Sequence, residues 1–549
     1  MASHCLVILP IHLFDVDTLI KSLKNQLSLD TQNNLEDKLK ISDIYIIEEP
    51  VYFGERDIKL NFNKLKLIYH KASMKYYNDY IKSNNKQISD SIYSIQSTIF
   101  KITYLNYDEF KKKSVYSPIN KHSKIYMFDP VDTYLESKYY KLFKDKLHYL
   151  TSPLFLCSNK DLEDFHKSKK SPDSYTHASF YKWQKERLDI LKDEKSHDTD
   201  NRNKMPIDTK IPSLPKNDSH YYSTTSTKTK PKPNPYIVEA IKYIEDNFPS
   251  NLEPLYVSEG TPINVDSLHF PITHKSSCEW LEHFCKNRLK EFGNYEDSID
   301  SIPRNFLFHS TISPMLNIGL ITPQQVIDSV TNYYTTNKNN KKENQITIST
   351  YEGFIRQVIG WREFQRYIYK YIGYKMRKSN HFNNTRKLSL PWYNATTTIK
   401  PVDDAIMMAM NDGYIHHILR LMVVGNFMNL VGLHPDEVYK WFMEFAIDSY
   451  DWVMIGNVYS MTLWADGGLT MRKPYISSDA YIMKMGNYKK KGEWNSIWNT
   501  IFHHFIDRNS KALSSTYYNG VVKAWIRKSK SDKDKELNSA NDFINKFSK

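Results

Sequence analysis

Cysteine is scarce in this chain of 549 residues: Cys5, Cys157, Cys278 and Cys285 are all it has, and no two form a CxxC pair. That argues against a disulfide framework or a cysteine-built metal cluster, and it fits a reducing compartment. Glycine is scarce too, at 16 residues. The GxGxxG dinucleotide fingerprint and the P-loop are both missing, so phosphate is not expected in a glycine cradle. No HExxH zinc motif occurs. No apolar run approaches the ~20 residues of a membrane span. Cys5–Pro10 is apolar but short and lacks the basic flank of a signal peptide. These absences predict a soluble, intracellular protein that does not engage membranes.

Aromatics and positive charge are plentiful. Hydrophobic residues make up 40% and aromatics 14%, with Tyr 40 and Trp 10, enough for large cores and for stacking sites. The net charge is +13 with a pI near 9.0, which favours a polyanionic partner such as nucleic acid. Lysine-rich, asparagine-rich composition accounts for about half of that signal. The length favours two or more domains.

The first part of the chain alternates short apolar strands with helical patterns. Candidate strands are Cys5–Leu9, Ile44–Ile47, Thr98–Tyr104, Lys124–Phe128 and Leu154–Cys157, with a helix over Asn63–Lys82. Such alternation predicts a parallel sheet covered by helices, with ligands beyond the carboxyl ends of the strands. His12, Glu48, Glu49 and Tyr52 fall there. From Glu194 to Pro235 the chain is rich in Ser, Thr, Lys, Asp, Asn and Pro and reads as a linker or surface loop. Beyond Tyr236 helical periodicity dominates, over Cys278–Phe292, Pro323–Tyr334, Tyr351–Tyr374, Val402–Val431, Pro435–Ile447 and Trp494–Asp507. After Lys528 the tail is charged and expected to fray.

Tyr414–Met422 carries His416, His417 and Arg420 on an otherwise apolar segment. A helix turns His417 and Arg420 to one face. Polar groups on an apolar helix are costly without partners or a ligand, and Asp448 is a candidate partner for Arg420. Phe308–Pro314 places the hydroxyls of Ser310, Thr311 and Ser313 before a helical start, which suits phosphate or a plain N-cap. Gly360–Phe364 contains Trp361, a stacking plane, and Glu363, an acceptor for a base edge; a core tryptophan beside a surface ion pair explains it equally well. Trp441, Tyr450, Trp452, Tyr459 and Trp464 crowd around Asp448 and Asp451. Lys473, Tyr475 and Tyr481 lie in loop-like sequence that suits a nucleic-acid strand.

Taken in order, these segments resemble the photolyase/cryptochrome superfamily, in particular its deoxyribodipyrimidine photolyase-related branch, the prokaryotic (6-4) photolyases. The resemblance runs nearly the full length. It rests on Leu9–Phe14, Ile46–Phe53, Phe292–Asp297, His309–Pro314, Gly360–Phe364, Tyr414–Met422, Ala465–Gly468 and Lys473–Ser477.

It implies an amino-terminal α/β domain with a doubly wound, Rossmann-like parallel sheet (1–160, antenna type). A linker with a low-complexity loop (161–235), an all-α FAD-binding domain (236–528) and a charged tail (529–549) follow. It also implies a monomer that splits UV-induced pyrimidine dimers in DNA by light-driven electron transfer from reduced FAD, with the (6-4) photoproduct as the expected lesion. A cryptochrome-like photoreceptor, a CPD photolyase and a silent DNA-binding homologue are the alternatives.

By resemblance Ser310, Thr311 and Ser313 form the FAD-phosphate loop, and Arg420 and Asp448 an ion pair against the flavin ring. Met454 falls nearest flavin N5, where relatives often carry Asn, Asp or Glu; Asn457 is on the same wall. His416 and His417 match the lesion histidines, and Trp392 and Trp441 match relay positions. Met461, Tyr475 and Tyr481 match the lesion rim, with Trp361, Glu363 and Lys473 as further DNA contacts. His12 and Glu48 match an antenna pocket that holds a ribityl-lumazine in the related branch.

Positions where the branch carries iron–sulfur cysteines are Pro401 here and a region reading Lys489-Lys490-Lys491-Gly492-Glu493-Trp494. Neither lysine nor proline replaces a cluster thiolate, so no cluster is expected.

Overall fold

Five short apolar segments build one wholly parallel sheet in the order β3-β2-β1-β4-β5. They are β1 His4–Ile8, β2 Ile41–Ile47, β3 Lys101–Leu105, β4 Lys124–Phe128 and β5 Leu147–Leu150. β1 is buried along its whole length, as a central strand covered on both faces must be. The chain runs from β1 outward through β2 and β3, then restarts on the other side with β4 and β5. That reversal puts a switch point between β1 and β4, and His12 follows β1 there. The structure is a computed structural model. It describes residues 3–31, 41–93, 99–112, 114–169, 171, 173–192, 211–215, 220–221, 232–255, 263, 268–301, 306–339, 345–489 and 492–547.

The expected fifth strand, Leu154–Cys157, is not one; Leu147–Leu150 takes that place. Its apolar character has another cause. The N–H groups of Leu156 and Cys157 each donate to the Glu363 carboxylate at 3.0 Å, and the Leu154 carbonyl accepts from Arg362 at 2.5 Å. A helix of the second domain thus answers the backbone of this buried loop, which needs no strand partner.

Beyond the sheet the described chain is helical, but the expected boundaries move. Pro235–Asn247 packs on Lys64–Ser83 of the sheet domain, so the chain past residue 236 first returns to the α/β unit. Within the expected linker, Asn159–Ser168 and His177–Leu188 are helices, and the latter packs on Arg356–Arg362. Most of Glu194–Pro235 lies outside the described residues; of it, His220–Tyr221 pairs antiparallel with Lys232–Pro233. The charged tail does not fray: Lys530–Phe547 is a helix that packs on Glu493–Arg508 through fully buried Ala540 and Ile544.

Three helices that carry candidate residues are locally underwound into π geometry, over Arg356–Arg362, Leu419–Gly425 and Ile455–Thr462. Such stretches are rare and recur at functional sites. Two glycines let these helices touch. A Cβ on Gly425 would come 2.3 Å from the Thr462 methyl, and one on Gly456 1.8 Å from the Gln365 amide oxygen.

The two domains are joined by a buried charge cluster. Arg56 makes two hydrogen bonds to Asp132, at 2.7 and 3.3 Å, and lies 3.5 Å from Asp451 of the helical domain. Asp451 also accepts from Arg377 at 3.0 Å, from the Tyr369 hydroxyl at 2.7 Å and from the Tyr439 hydroxyl. Burial alone would raise the Asp451 carboxyl; Arg56 and Arg377 outweigh it and hold the group below its ordinary value. Removing one partner from such a cluster strands the others. Asp451→Ala is therefore expected to destabilise the protein by roughly 3–5 kcal/mol, read as a lowered thermal midpoint. An unchanged midpoint would show that the cluster does not join the domains.

Candidate functional site

The helix Lys400–Asp412 ends at Gly413, whose φ of 61° is left-handed. The Ile447 side chain packs where a Cβ on Gly413 would be, so the break is fixed from outside the helix. Tyr414, Ile415 and His416 lie outside helix and strand, and helix resumes at His417. The single helix expected over Val402–Val431 is thus two. His416 precedes the second helix instead of lying around its side from His417.

Arg420, on the first turn of that second helix, grips Asp448 with two hydrogen bonds, at 2.9 and 3.1 Å, while its Nε donates to the Ile415 carbonyl at 2.6 Å. Ser313 donates to the same carboxylate at 2.6 Å, and Asn317 donates to the Asp448 carbonyl at 3.0 Å. The turn before Ser313 and the Arg420–Asp448 pair are therefore one assembly. Thr311 sits at φ 52°, a conformation a β-branched residue adopts at a cost. Its hydroxyl is engaged inside the fold, with the Ser310 carbonyl at 2.7 Å and Trp280 Nε1 at 3.1 Å. Ser310 is half-buried.

His416 is buried and stacks face to face on His309, with centroids 4.4 Å apart and planes 12° apart. His309 Nε2 and His416 Nδ1 are buried with no hydrogen-bond partner among the described residues. His417 is exposed, yet desolvation by surrounding protein, helped by Arg420, pulls its pKa to about 4. Sequence reading quoted His309 only as part of a motif; a histidine immediately before the hydroxyl turn was the available signal.

Met454 is buried and its sulfur accepts from Ser449 at 3.4 Å; Asn457 is half-buried and donates to the Val453 carbonyl at 2.8 Å. Met461 is buried. Trp392 and Trp441 are both buried, and Trp441 Nε1 donates to the Trp392 carbonyl at 2.7 Å. Trp441 meets Phe445 at 4.4 Å, and Phe445 lies 5.9 Å from the Arg420 guanidinium. Tyr475 and Tyr481 are half-buried, and Lys473 is exposed with its ammonium 4.2 Å from the Tyr517 ring.

Other expected residues lie elsewhere. Glu363 is fully buried in the domain contact, so it faces no base edge. Trp361 stacks on His177 at 3.8 Å. Glu48 is fully buried with Lys71 at 2.8 Å, the Tyr107 amide at 2.7 Å and the Tyr104 hydroxyl around it; its carboxylate is satisfied within the domain. His12 is fully buried between Phe14 and Phe128, and neither ring nitrogen has a partner. Pro401 is buried, and Trp494 packs between Tyr488 and Trp498; Lys490 and Lys491 lie outside the described residues. Among the described residues no group of three or more His, Cys, Asp or Glu is arranged to hold a metal ion. No helix among them is long and apolar enough to cross a membrane.

Residues 20–252 match the family described as deoxyribodipyrimidine photo-lyase-related protein. A (6-4) photolyase of Agrobacterium fabrum is 32% identical over 288 residues, 51% of this chain and 53% of that protein. Both matches point to photolyase-related proteins. The match spans about half the length of that curated relative. An uncharacterized protein of Acanthamoeba polyphaga mimivirus is 60% identical over 88 residues, 16% of this chain and 72% of that protein. In fold, the chain resembles a bacterial class III photolyase from Agrobacterium tumefaciens, with a TM-score of 0.51 at 13% identity over 100% of this chain and 98% of that one. A cryptochrome of Synechocystis gives a TM-score of 0.50 at 12% identity, covering 99% of each chain. The chain shares the overall fold of these structures, a parallel sheet followed by a mostly helical part.

The two stacked histidines give the chain an acid limit. Burial lowers His309 from its ordinary 6.5 to about 3, and holds His416 well below that ordinary value. In the unfolded chain each imidazole takes a proton near 6.5; in the folded chain each refuses it. Proton uptake therefore favours unfolding, and stability present above pH 6.5 is lost as pH falls below it, by about 1.4 kcal/mol per pH unit for each group. His309→Phe keeps a ring for the stack and removes one such group. The fall in thermal midpoint between pH 6.5 and 4.5 is expected to be shallower in that variant. An acid limb as steep as the wild type's would show that His309 takes up its proton in the folded state.

Proposed function

We propose that the chain is a light-driven DNA-repair enzyme of photolyase type. It acts as a monomer on UV-damaged DNA, with the (6-4) photoproduct as its lesion. The observation that carries this reading is that the Ser310–Ser313 turn and the helix following His416 are joined on one carboxylate, Asp448, with His416 stacked on His309 beside them. The (6-4) photolyase relative, 32% identical over 288 residues, supports the choice of lesion.

The residues present fit FAD. A half-buried serine turn beside a guanidinium suits a diphosphate. The two unpartnered imidazole nitrogens of His309 and His416 offer polar atoms to a bound molecule. Ser310, Ser313 and Arg420 would hold the cofactor, with Met454 and Asn457 on the wall that resemblance places beside its ring. When bound and reduced, FAD supplies a light-driven electron to the lesion. His12, unpartnered at the switch point of the sheet, is the residue we retain for an antenna chromophore.

The chain's own groups orient and move protons. Asp448 keeps Arg420 in place through two hydrogen bonds. His417 has a pKa of about 4 and is therefore neutral at pH 7 in the protein alone. It becomes a proton donor only when negative charge arrives beside it and raises that value. DNA phosphates bring such charge, so substrate binding arms the donor. A dinucleotide lesion must leave the duplex to reach this site, which costs least where pairing is already distorted.

Arg420→Ala leaves Asp448 buried and unpaired, at a cost of roughly 3–5 kcal/mol, and is expected to lose flavin. His417→Ala is expected to keep flavin and still photoreduce, while (6-4) repair falls by at least about 100-fold. Illumination of wild type and both variants with a lesion-bearing oligonucleotide reads all three outcomes. Normal repair by His417→Ala removes the donor assignment. Wild-type flavin binding without repair of any lesion points instead to a photoreceptor, the reading that Met454, a weak hydrogen-bond acceptor, favours.

A further inference from the structure

Two stretches of the helical domain carry no carboxylate. Between Asp466 and Asp479 the only charges are Arg472 and Lys473. Between Asp507 and Asp532 they are Arg508, Lys511, Lys523, Arg527, Lys528 and Lys530. The fold brings the two stretches together. The Tyr518 hydroxyl donates to the backbone carbonyls of Pro474, at 3.2 Å, and Ile476, so the turn before Asn519–Arg527 is clamped on either side of Tyr475. Trp498 and Asn426 hold Ser477 from below, at 3.0 and 3.2 Å to its carbonyl. Asn426 lies six positions past Arg420 on one helical run, roughly 9 Å along it at the α-helical rise. The face therefore borders the reaction site and has a firm backbone.

What it presents outward is unusual. Tyr517 is 77% exposed, the highest value among the large hydrophobic side chains of the described residues. One side of its ring is taken by the Lys473 ammonium, 4.2 Å from the centroid. In the same two stretches Arg472, Lys473, Lys511, Lys523 and Arg527 are all exposed, and none has a carboxylate ion pair among the described residues. A cation over one face of an aromatic ring leaves the other face for a second flat group. Cations without carboxylates attract a polyanion, and an exposed aromatic among them is how single strands are held: phosphates on the cations, a base on the ring. A membrane surface would need more exposed large apolar groups than Tyr517 and Ile526, the two in these stretches.

We propose that Tyr517, with Lys473 over its ring, is a stacking platform for an unpaired nucleobase of the DNA bound at the neighbouring site. The platform distinguishes unpaired from paired strands, because a base inside an intact duplex has no free face to offer. The proposal rests on the DNA-repair reading for its partner, and it is tested separately from repair.

The experiment uses the full, flavin-loaded chain as wild type, Tyr517→Ala, Tyr517→Trp and Lys473→Ala. Anisotropy titrations compare a single strand containing 2-aminopurine, a duplex with one (6-4) lesion and the matched intact duplex, over a range of salt. Tyr517→Ala is expected to bind the single strand and the damaged duplex about 5- to 100-fold more weakly. It should bind the intact duplex as wild type does and lose the quenching of 2-aminopurine, while Tyr517→Trp retains both. Lys473→Ala should reduce the slope of log K against log salt by about 1. Binding by Tyr517→Ala within twofold of wild type on every DNA overturns the proposal. So does an equal loss on paired and unpaired DNA, or a loss confined to anionic lipid vesicles. A wild type that repairs nothing yet depends on Tyr517 for single-strand binding keeps the platform and removes the repair reading. A wild type that repairs while Tyr517→Ala binds normally does the reverse.

Discussion

The Arg420–Asp448 ion pair is the contact on which the site depends. Asp448 answers Arg420 with both oxygens and takes the Ser313 hydroxyl as well, so the turn before Ser313 and the helix after His416 are positioned by one carboxylate. Its own segment is held from the other domain. Lys66, buried on the helix Lys64–Ser83, donates to the carbonyls of Met443 and Ser449 at 2.9 and 2.8 Å. Burial lowers the Lys66 pKa to about 7, although Asp448 pulls it upward. A buried ion pair is weak evidence for net stability, but breaking one is expensive. The pair therefore fixes geometry more than it adds stability. Asp451, three residues on, repeats the arrangement with Arg56 of the sheet domain.

The helices around this pair depart from regular geometry where they carry candidate residues. Arg420, Asn457, Met461 and Trp361 all sit in π-helical stretches. An extra residue per turn rotates everything after it, so side chains are aimed where a regular 3.6-residue period would not send them. Gly425 and Gly456 allow the neighbouring helices close enough to hold that geometry. The break at Gly413 does the same for His416, which leaves the helix and lies on His309. The site thus combines local irregularity with tight surrounding packing, as strained functional positions require.

The sequence pattern reached some elements and not others, for identifiable reasons. β1, β2 and β4 were legible because buried parallel strands are runs of apolar, often branched residues. Leu154–Cys157 has the same composition for a different reason: a loop answered by Glu363, Arg362 and Arg366 is buried like a strand. The pairing of Arg420 with Asp448 was legible because a guanidinium on an apolar helix needs a partner. The role of Glu363 was not, since its isolated motif looks the same whether it faces a ligand or a backbone. Glu48 was read as pocket-facing from its place after β2, but Lys71, Tyr104 and Tyr107 surround it.

By itself the sequence determined the two-part architecture and the chemical identity of the groups near the site. These follow from periodicity, from residue type and from the order of motifs, all of which are properties of the chain in one dimension. Tertiary structure decided which groups meet. It set His309 against His416, Ser313 on Asp448, Tyr517 beside Lys473, and the tail helix on Glu493–Arg508. The first three of those contacts join residues 107, 135 and 44 positions apart, for which no local rule exists. They arise because burial closes the chain on itself, and a polar group inside must then find whichever partner the fold brings to it.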